Sequence, residues 1–177
     1  MDWPLYERII TQLFEPVAEG DGIPDDELDT AEAQLGHPLP PLLRQLYNLC
    51  GRRGDLHQAS ELLLLPTTLQ VREGYLPFYQ SAEQVPWAVS LNHGDDPPVF
   101  RQNGSDWEPD YPTLSQFLLA MLFWQAVNGG VDYYAHGTVP VVALRQLPAG
   151  WERIPLGGDW DLEALWGGKV ALVYSKH

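Results

Sequence analysis

The sequence predicts an α+β protein in which helices come first, short antiparallel strands follow, and a further buried helix comes after them. Three observations predict it. Apolar residues recur at helical spacing through the opening stretch, as Leu5, Ile9, Ile10, Leu13 and Val17, then Leu28, Ala31 and Leu35, then Leu39, Leu42, Leu43, Leu46 and Tyr47. From Leu62 the pattern changes to short segments rich in aromatic and β-branched residues with turn chemistry between them. The run Phe117–Trp124 is then apolar on nearly every side, as a helix enclosed by its neighbours would be.

Each element has a local reason. Asp2 is placed to cap a first helix that ends near Phe14, before Pro16 and the Glu19–Gly22 turn. Pro24 opens the second helix at its first turn, and Asp25, Asp26 and Glu27 stand at its positive end, where carboxylates are favoured. Gly36 follows Leu35 where a helix end needs a residue that tolerates positive φ. Pro38 cannot continue that helix, whereas Pro40 or Pro41 can sit in the first turn of the next. Gly51–Asp55 is a turn-rich break. Strands are expected at Leu62–Leu65, Leu69–Arg72, Tyr75–Tyr79, Val85–Leu91 and Pro98–Arg101, and connections this short suit antiparallel pairing. Pro77 and Pro86 cannot donate ladder hydrogen bonds, so they belong at an edge or a bulge. Thr113 and Gln116 read as a capping box for the buried helix, which Asn128–Gly130 stops. Beyond it, strands are expected near Val131–Tyr134, Trp151–Pro155 and Lys169–Tyr174, and Val139–Leu147 is open to either strand or helix. With no repeat and no low-complexity linker, residues 1–177 read as one domain.

Charge and composition exclude several functions. The chain has 177 residues and a net charge of −14, from 24 acids and 10 bases. Residues 1–36 hold ten of the acids, from Asp2 to Glu32, against the single base Arg8. Such a field repels phosphate backbones, which argues against nucleic acid as a direct ligand, and it speeds encounter with a basic protein. The plainer reading is a solvated surface that aids solubility. The eight-residue run Phe117–Trp124 is far short of the ~20 residues a membrane span needs, and Met1–Arg8 lacks the pattern of a signal peptide. A cytoplasmic protein with no membrane partner is expected. Cys50 is the one cysteine and lies in line with Leu42, Leu46 and Leu49, so it reads as a small buried hydrophobe rather than a nucleophile.

Reactive constellations have characteristic spacings. The chain has no H-E-x-x-H, G-x-S-x-G, P-loop or C-x-x-C, and none of His37, His57, His93, His136 and His177 lies at helical ligand spacing from another. His93–Gly–Asp–Asp96 could serve as a base or a metal site, but its Gly and Pro neighbours favour a turn held by Asp side chains. Seven tryptophans raise sugar stacking as an alternative. Trp87 and Trp124 lie in apolar segments and read as core, whereas Trp107, Trp160 and Trp166 lie in Gly/Asp-rich stretches and are the exposed candidates. No cofactor and no metal is expected.

Several of these residues also carry a resemblance. E-x-x-L-G-x-x-L-P-x-x-L-R-x-L-Y, from Glu32 to Tyr47, resembles the helix–corner–helix of the SUKH superfamily, which includes the Smi/Knr cell-wall-assembly regulators. Tyr75–Val89 is similar to the aromatic strand pair of bacterial members. Asp96–Phe100, Trp107 and Ser115–Leu122 continue in the same order, so the resemblance covers roughly Pro24–Val127 and leaves residues 128–177 as an extension. It implies helices packed on one face of a twisted, mainly antiparallel sheet. It further implies a non-enzymatic protein-binding role, most often as an immunity protein that neutralises a toxin such as a nuclease, otherwise as an endogenous regulator. Leu35, Gly36, Leu39, Pro40 and Trp87 map onto structural positions of the motif. From charge and loop position, the partner-binding candidates are Asp25, Asp26, Glu27, Asp29, Asp55, Asp95 and Asp96, with Trp107 as an aromatic anchor. A small hydrolase or a sugar-binding module are the remaining alternatives.

Overall fold

The computed structural model describes residues 1–130, 142, 150–157, 162–167 and 170–175. Helices α1 (Trp3–Leu13), α2 (Asp25–Leu35), α3 (Pro41–Cys50) and the single turn α4 (Gly54–His57) come first. Strands β1 (Leu62–Leu63), β2 (Tyr75–Gln80), β3 (Pro86–Ser90), β4 (Val99–Asn103) and β5 (Asp106–Tyr111) form an antiparallel meander in sequence order. Helix α5 (Leu114–Gln125) follows, and β6 (Glu152–Gly157), β7 (Leu162–Gly167) and β8 (Val170–Ser175) make a second antiparallel meander. The fold is α+β, as the sequence predicts.

Local chemistry accounts for the helix ends. The Asp2 carboxylate accepts the Leu5 N–H at 3.0 Å and caps α1. Gly36 ends α2 at φ 73°, in the left-handed region, and its N–H donates to the Glu32 carbonyl. Pro24 is the residue before α2 rather than part of its first turn, whereas at α3 Pro40 precedes the helix and Pro41 takes its first position, as expected. The Thr113 hydroxyl caps α5 by accepting the Gln116 N–H at 3.2 Å. Among the described residues the Gln116 side chain makes no reciprocal bond; a second cap comes instead from Asp96, which accepts from the Ser115 N–H at 2.7 Å and the Ser115 hydroxyl at 2.6 Å. Asn128 and Gly129 leave helical geometry and end the helical run.

The five-stranded sheet turns one face to the helices. Tyr79, Trp87 and Tyr111 stand on that face and pack around Phe117 of α5 at ring-centroid distances of 5.3–5.6 Å. The register slips between Pro77 and Tyr79, which puts Phe78 against Phe117 as well, and Pro86 takes the first position of β3. Both prolines therefore sit where a missing N–H is tolerated. On the other side of α5, Phe123 meets Trp166 of β7, and Ile154, Leu156, Ala164 and Trp166 join the core that the helices and first sheet build. A helix covered by two sheets needs no polar face, which explains the composition of Phe117–Trp124.

Several expectations change. Leu69–Arg72 forms no strand; a 3₁₀ turn at Pro66–Thr68 precedes it, and only Arg72 makes a bridge, to Tyr75. Leu69 is buried there as a plug between turns. Strands β5 and β7 were not anticipated: β5 alternates acids with Trp107 and Pro109, and β7 is interrupted by no turn signal of its own. Trp166, expected to be exposed, is 1% exposed, and Trp124, expected in the core, is half-buried. Val131–Tyr134, Val139–Leu147 apart from the exposed Val142, Trp160, His136 and His177 lie outside the described residues.

Candidate partner-binding surface

The acidic N-terminal region folds around three arginines. Asp25, Asp29 and Glu32 recur at i, i+4 and i+7, so they share one face of α2. Arg44 of α3 meets all three, at 2.8, 2.7 and 2.7 Å. Glu32 also accepts the Leu39 N–H at 2.8 Å, so one half-buried carboxylate ties both sides of the corner that Gly36, Leu39 and Pro40 turn. Leu39 and Pro40 are buried there and Leu35 is half-buried. Asn48, and then Arg44, hold the Asp25 carboxyl below the usual carboxylate range. Arg52 pairs with Glu27 in the same groove-spanning fashion.

Arg53 is more enclosed. Its guanidinium donates to Asp55 at 2.6 Å, to Asp21 at 3.0 Å and to the carbonyl of Glu15 at 3.1 Å. Asp55 foremost, then Asp21, raise its pKa further. Asp21 is in turn held low by the Ala18 N–H and by Arg53. This knot fastens the α1–α2 loop to the end of α3. Gly22 lies within it, so close to α3 that a Cβ would stand 1.7 Å from the Asn48 carbonyl oxygen.

The candidate residues therefore divide. Asp25, Glu27, Asp29 and Asp55 serve the fold and surface charge together: Asp25 and Asp29 keep about seven-tenths of their side chains exposed while paired. Asp96 caps α5. Asp26 and Asp95 are exposed, and among the described residues their carboxylates have no partner. Trp107 is half-buried on the sheet face turned away from the helices, stacked on Tyr75 at 5.2 Å, with Phe100 edge-on to the same ring. The structure thus does not bring Trp107 together with the α2 acids, because strand alternation turns Trp107 to the face away from the helices. Trp87 is buried and donates its indole N–H to Asp110 at 2.6 Å.

Groups with catalytic potential are turned to structure. Cys50 and His57 lie 3.5 Å apart, but both are buried. Burial pushes the thiol up to about 12 and the imidazole down to about 4, which keeps both neutral near pH 7. His93 Nδ1 lies 2.8 Å from the Ser90 hydroxyl in the Asn92–Pro97 turn, the turn role the sequence favoured. Among the described residues no group of three His, Cys, Asp or Glu side chains is placed to hold a metal ion, and no helix is long and apolar enough to cross a membrane.

Sequence reasoning overlooked the three arginines and Gln125. Gln125 is fully buried at the end of α5, accepts the Ser60 N–H and donates to Tyr79 and the Glu61 carbonyl. A lone polar residue closing an apolar run was the available signal.

Neither curated proteins nor solved structures give a match. One family model does match, described as the SMI1 / KNR4 family (SUKH-1), over residues 22–120. That span is more than half of the chain and holds the α2–α3 corner, the five-stranded sheet and the start of α5. Such domains are of the protein-interaction or immunity type. The chain belongs to the SMI1/KNR4 (SUKH-1) family.

Proposed function

We propose that this chain is a non-enzymatic protein-binding domain, specifically an immunity protein that neutralises a bacterial toxin by covering a basic site, such as the cleft of a nuclease. The observation that carries the reading is the charge that survives pairing. Arg44, Arg52 and Arg53 compensate only part of the acid in α1–α3, and Asp25, Asp26 and Asp29 remain open to solvent. A basic partner is drawn to such a face at long range, and an interface of ordinary size, about 1,600 Å² in total, would span α1, α2 and the loop at Asp95. Neutralisation then follows from occlusion, with no bond made or broken. The whole chain, the β6–β8 sheet included, works as one domain in the cytoplasm, and its ligand is protein rather than nucleic acid, membrane or cofactor.

The test is affinity capture from cell lysate at low and high ionic strength, followed by assay of the captured protein. A basic protein retained at low salt, whose activity stops at one equivalent of this chain, is the expected result. A captured protein whose activity is untouched would favour an endogenous regulatory partner and overturn the immunity reading.

A further inference from the structure

Helices α1 and α3 border a shallow, open groove at the edge of the acid pairing. Its walls are Trp3 and Glu7 of α1, one turn apart, and Gln45, Asn48 and Leu49 of α3, with a volume of about 350 Å³. Trp3 is fixed: its indole N–H donates to Gln45 Oε1 at 2.8 Å, and Tyr6 stands edge-on to its ring at 5.7 Å. Glu7 is exposed, and among the described residues its carboxylate has no partner. Asn48 commits its side-chain nitrogen to Asp25 at 3.1 Å, and among the described residues its side-chain oxygen has no partner.

The groove therefore combines an aromatic wall, an aliphatic wall, a carboxylate and an acceptor, and among the described residues no cation lines it. The arginines of nearby elements are turned elsewhere: Arg8 to Glu152 and the Trp166 ring, Arg44 to the α2 acids, Arg52 to Glu27. We propose that this groove is the receptor for one arginine side chain of a protein partner. A planar guanidinium can lie against the indole while its donors reach Glu7 and the Asn48 carbonyl, and its aliphatic stem can rest on Leu49. Lysine matches less well, because a compact ammonium cannot stack and donate in two directions at once. The assignment rests on the protein-binding function above and gives that surface an anchor which its long-range charge lacks.

The test is a titration of the full chain with acetyl-arginine amide, followed by NMR of side-chain N–H groups. Saturable shifts at the Trp3 indole and the Gln45 and Asn48 amides are expected, with none from the neutral isostere acetyl-citrulline amide. Glu7→Gln should weaken binding by about three- to fivefold, as for an exposed ion pair, with melting unchanged. Equal shifts with citrulline, no effect of Glu7→Gln, or equal affinity for acetyl-lysine amide would overturn the proposal. So would shifts of the same groups on concentrating the protein alone, which would assign the groove to a second copy. If arginine is ignored while salt-sensitive capture of a basic partner persists, the groove assignment fails and the broader function stands. If arginine binds but capture does not respond to salt, the broader function fails instead.

Discussion

Gly22 should matter more to stability than Gly36, although Gly36 is the residue with the unusual backbone. In Gly22→Ala the new Cβ would stand 1.7 Å from the Asn48 carbonyl oxygen and 2.6 Å from its carbon, and both belong to a helix that cannot yield. The loop must withdraw instead. That breaks the Ile23 N–H bond to the Tyr47 carbonyl (2.8 Å) and loosens the Arg52 N–H bond to the Asp21 carbonyl (2.9 Å). Each bond is worth about 1 kcal/mol, and re-exposing part of the buried Ile23 adds about 1–2 kcal/mol. The total is about 3–4 kcal/mol, or roughly 6–16 °C in Tm for a chain of this size. Gly36→Ala meets no atom within 4 Å and suffers only the left-handed backbone, about 1–2 kcal/mol. Thermal denaturation of the two variants decides. A Gly22→Ala protein that melts with the parent, or above Gly36→Ala, would refute the packing described for the α1–α2 loop.

Three further outcomes follow from the geometry. The buried His57 imidazole is pushed down to about 4 from an ordinary 6.5, so the unfolded chain binds the proton more readily. Its contribution is whole above pH 6.5 and is lost as pH falls toward 4, about 3 kcal/mol in all; denaturant titration should show that loss in the parent and much less of it in His57→Leu. Asp96→Ala should lower the denaturation midpoint by an amount equivalent to about 1 kcal/mol, as loss of a helix cap does. Arg53→Met should reduce Tm more than Arg52→Met, because Arg53 is enclosed and holds two carboxylates and a carbonyl, while Arg52 is exposed and holds one; equal melting would show that the loop is held by something else.

The helical half of the fold was legible because its signals are local. Asp2, Gly36 and Thr113 mark helix ends through bonds within a turn of themselves, Pro41 marks one through its fixed φ and missing N–H, and each stands where the pattern places it. Strand β5 was not legible, since its acids and Pro109 read as loop, and it becomes a strand only through pairing with β4. Gly22 shows the same limit: nothing beside it in the chain announces that Asn48 lies against it. The candidate surface was legible as charge but not as geometry. The sequence placed Asp25, Asp26 and Glu27 in the first turn of α2, yet only the approach of α3 reveals that Arg44 gathers Asp25, Asp29 and Glu32. Trp107, expected to be exposed, is half-buried against Tyr75, and its side of the sheet depends on a register that no local pattern sets.

The most direct measurement is the association rate of the captured partner with this chain as ionic strength rises from about 50 to 500 mM, run for the parent and for Asp26→Lys. Steering by an unpaired acidic face predicts that the rate falls by about tenfold or more while dissociation changes little, and that Asp26→Lys slows association at low salt. A rate indifferent to both salt and Asp26→Lys would contradict the account.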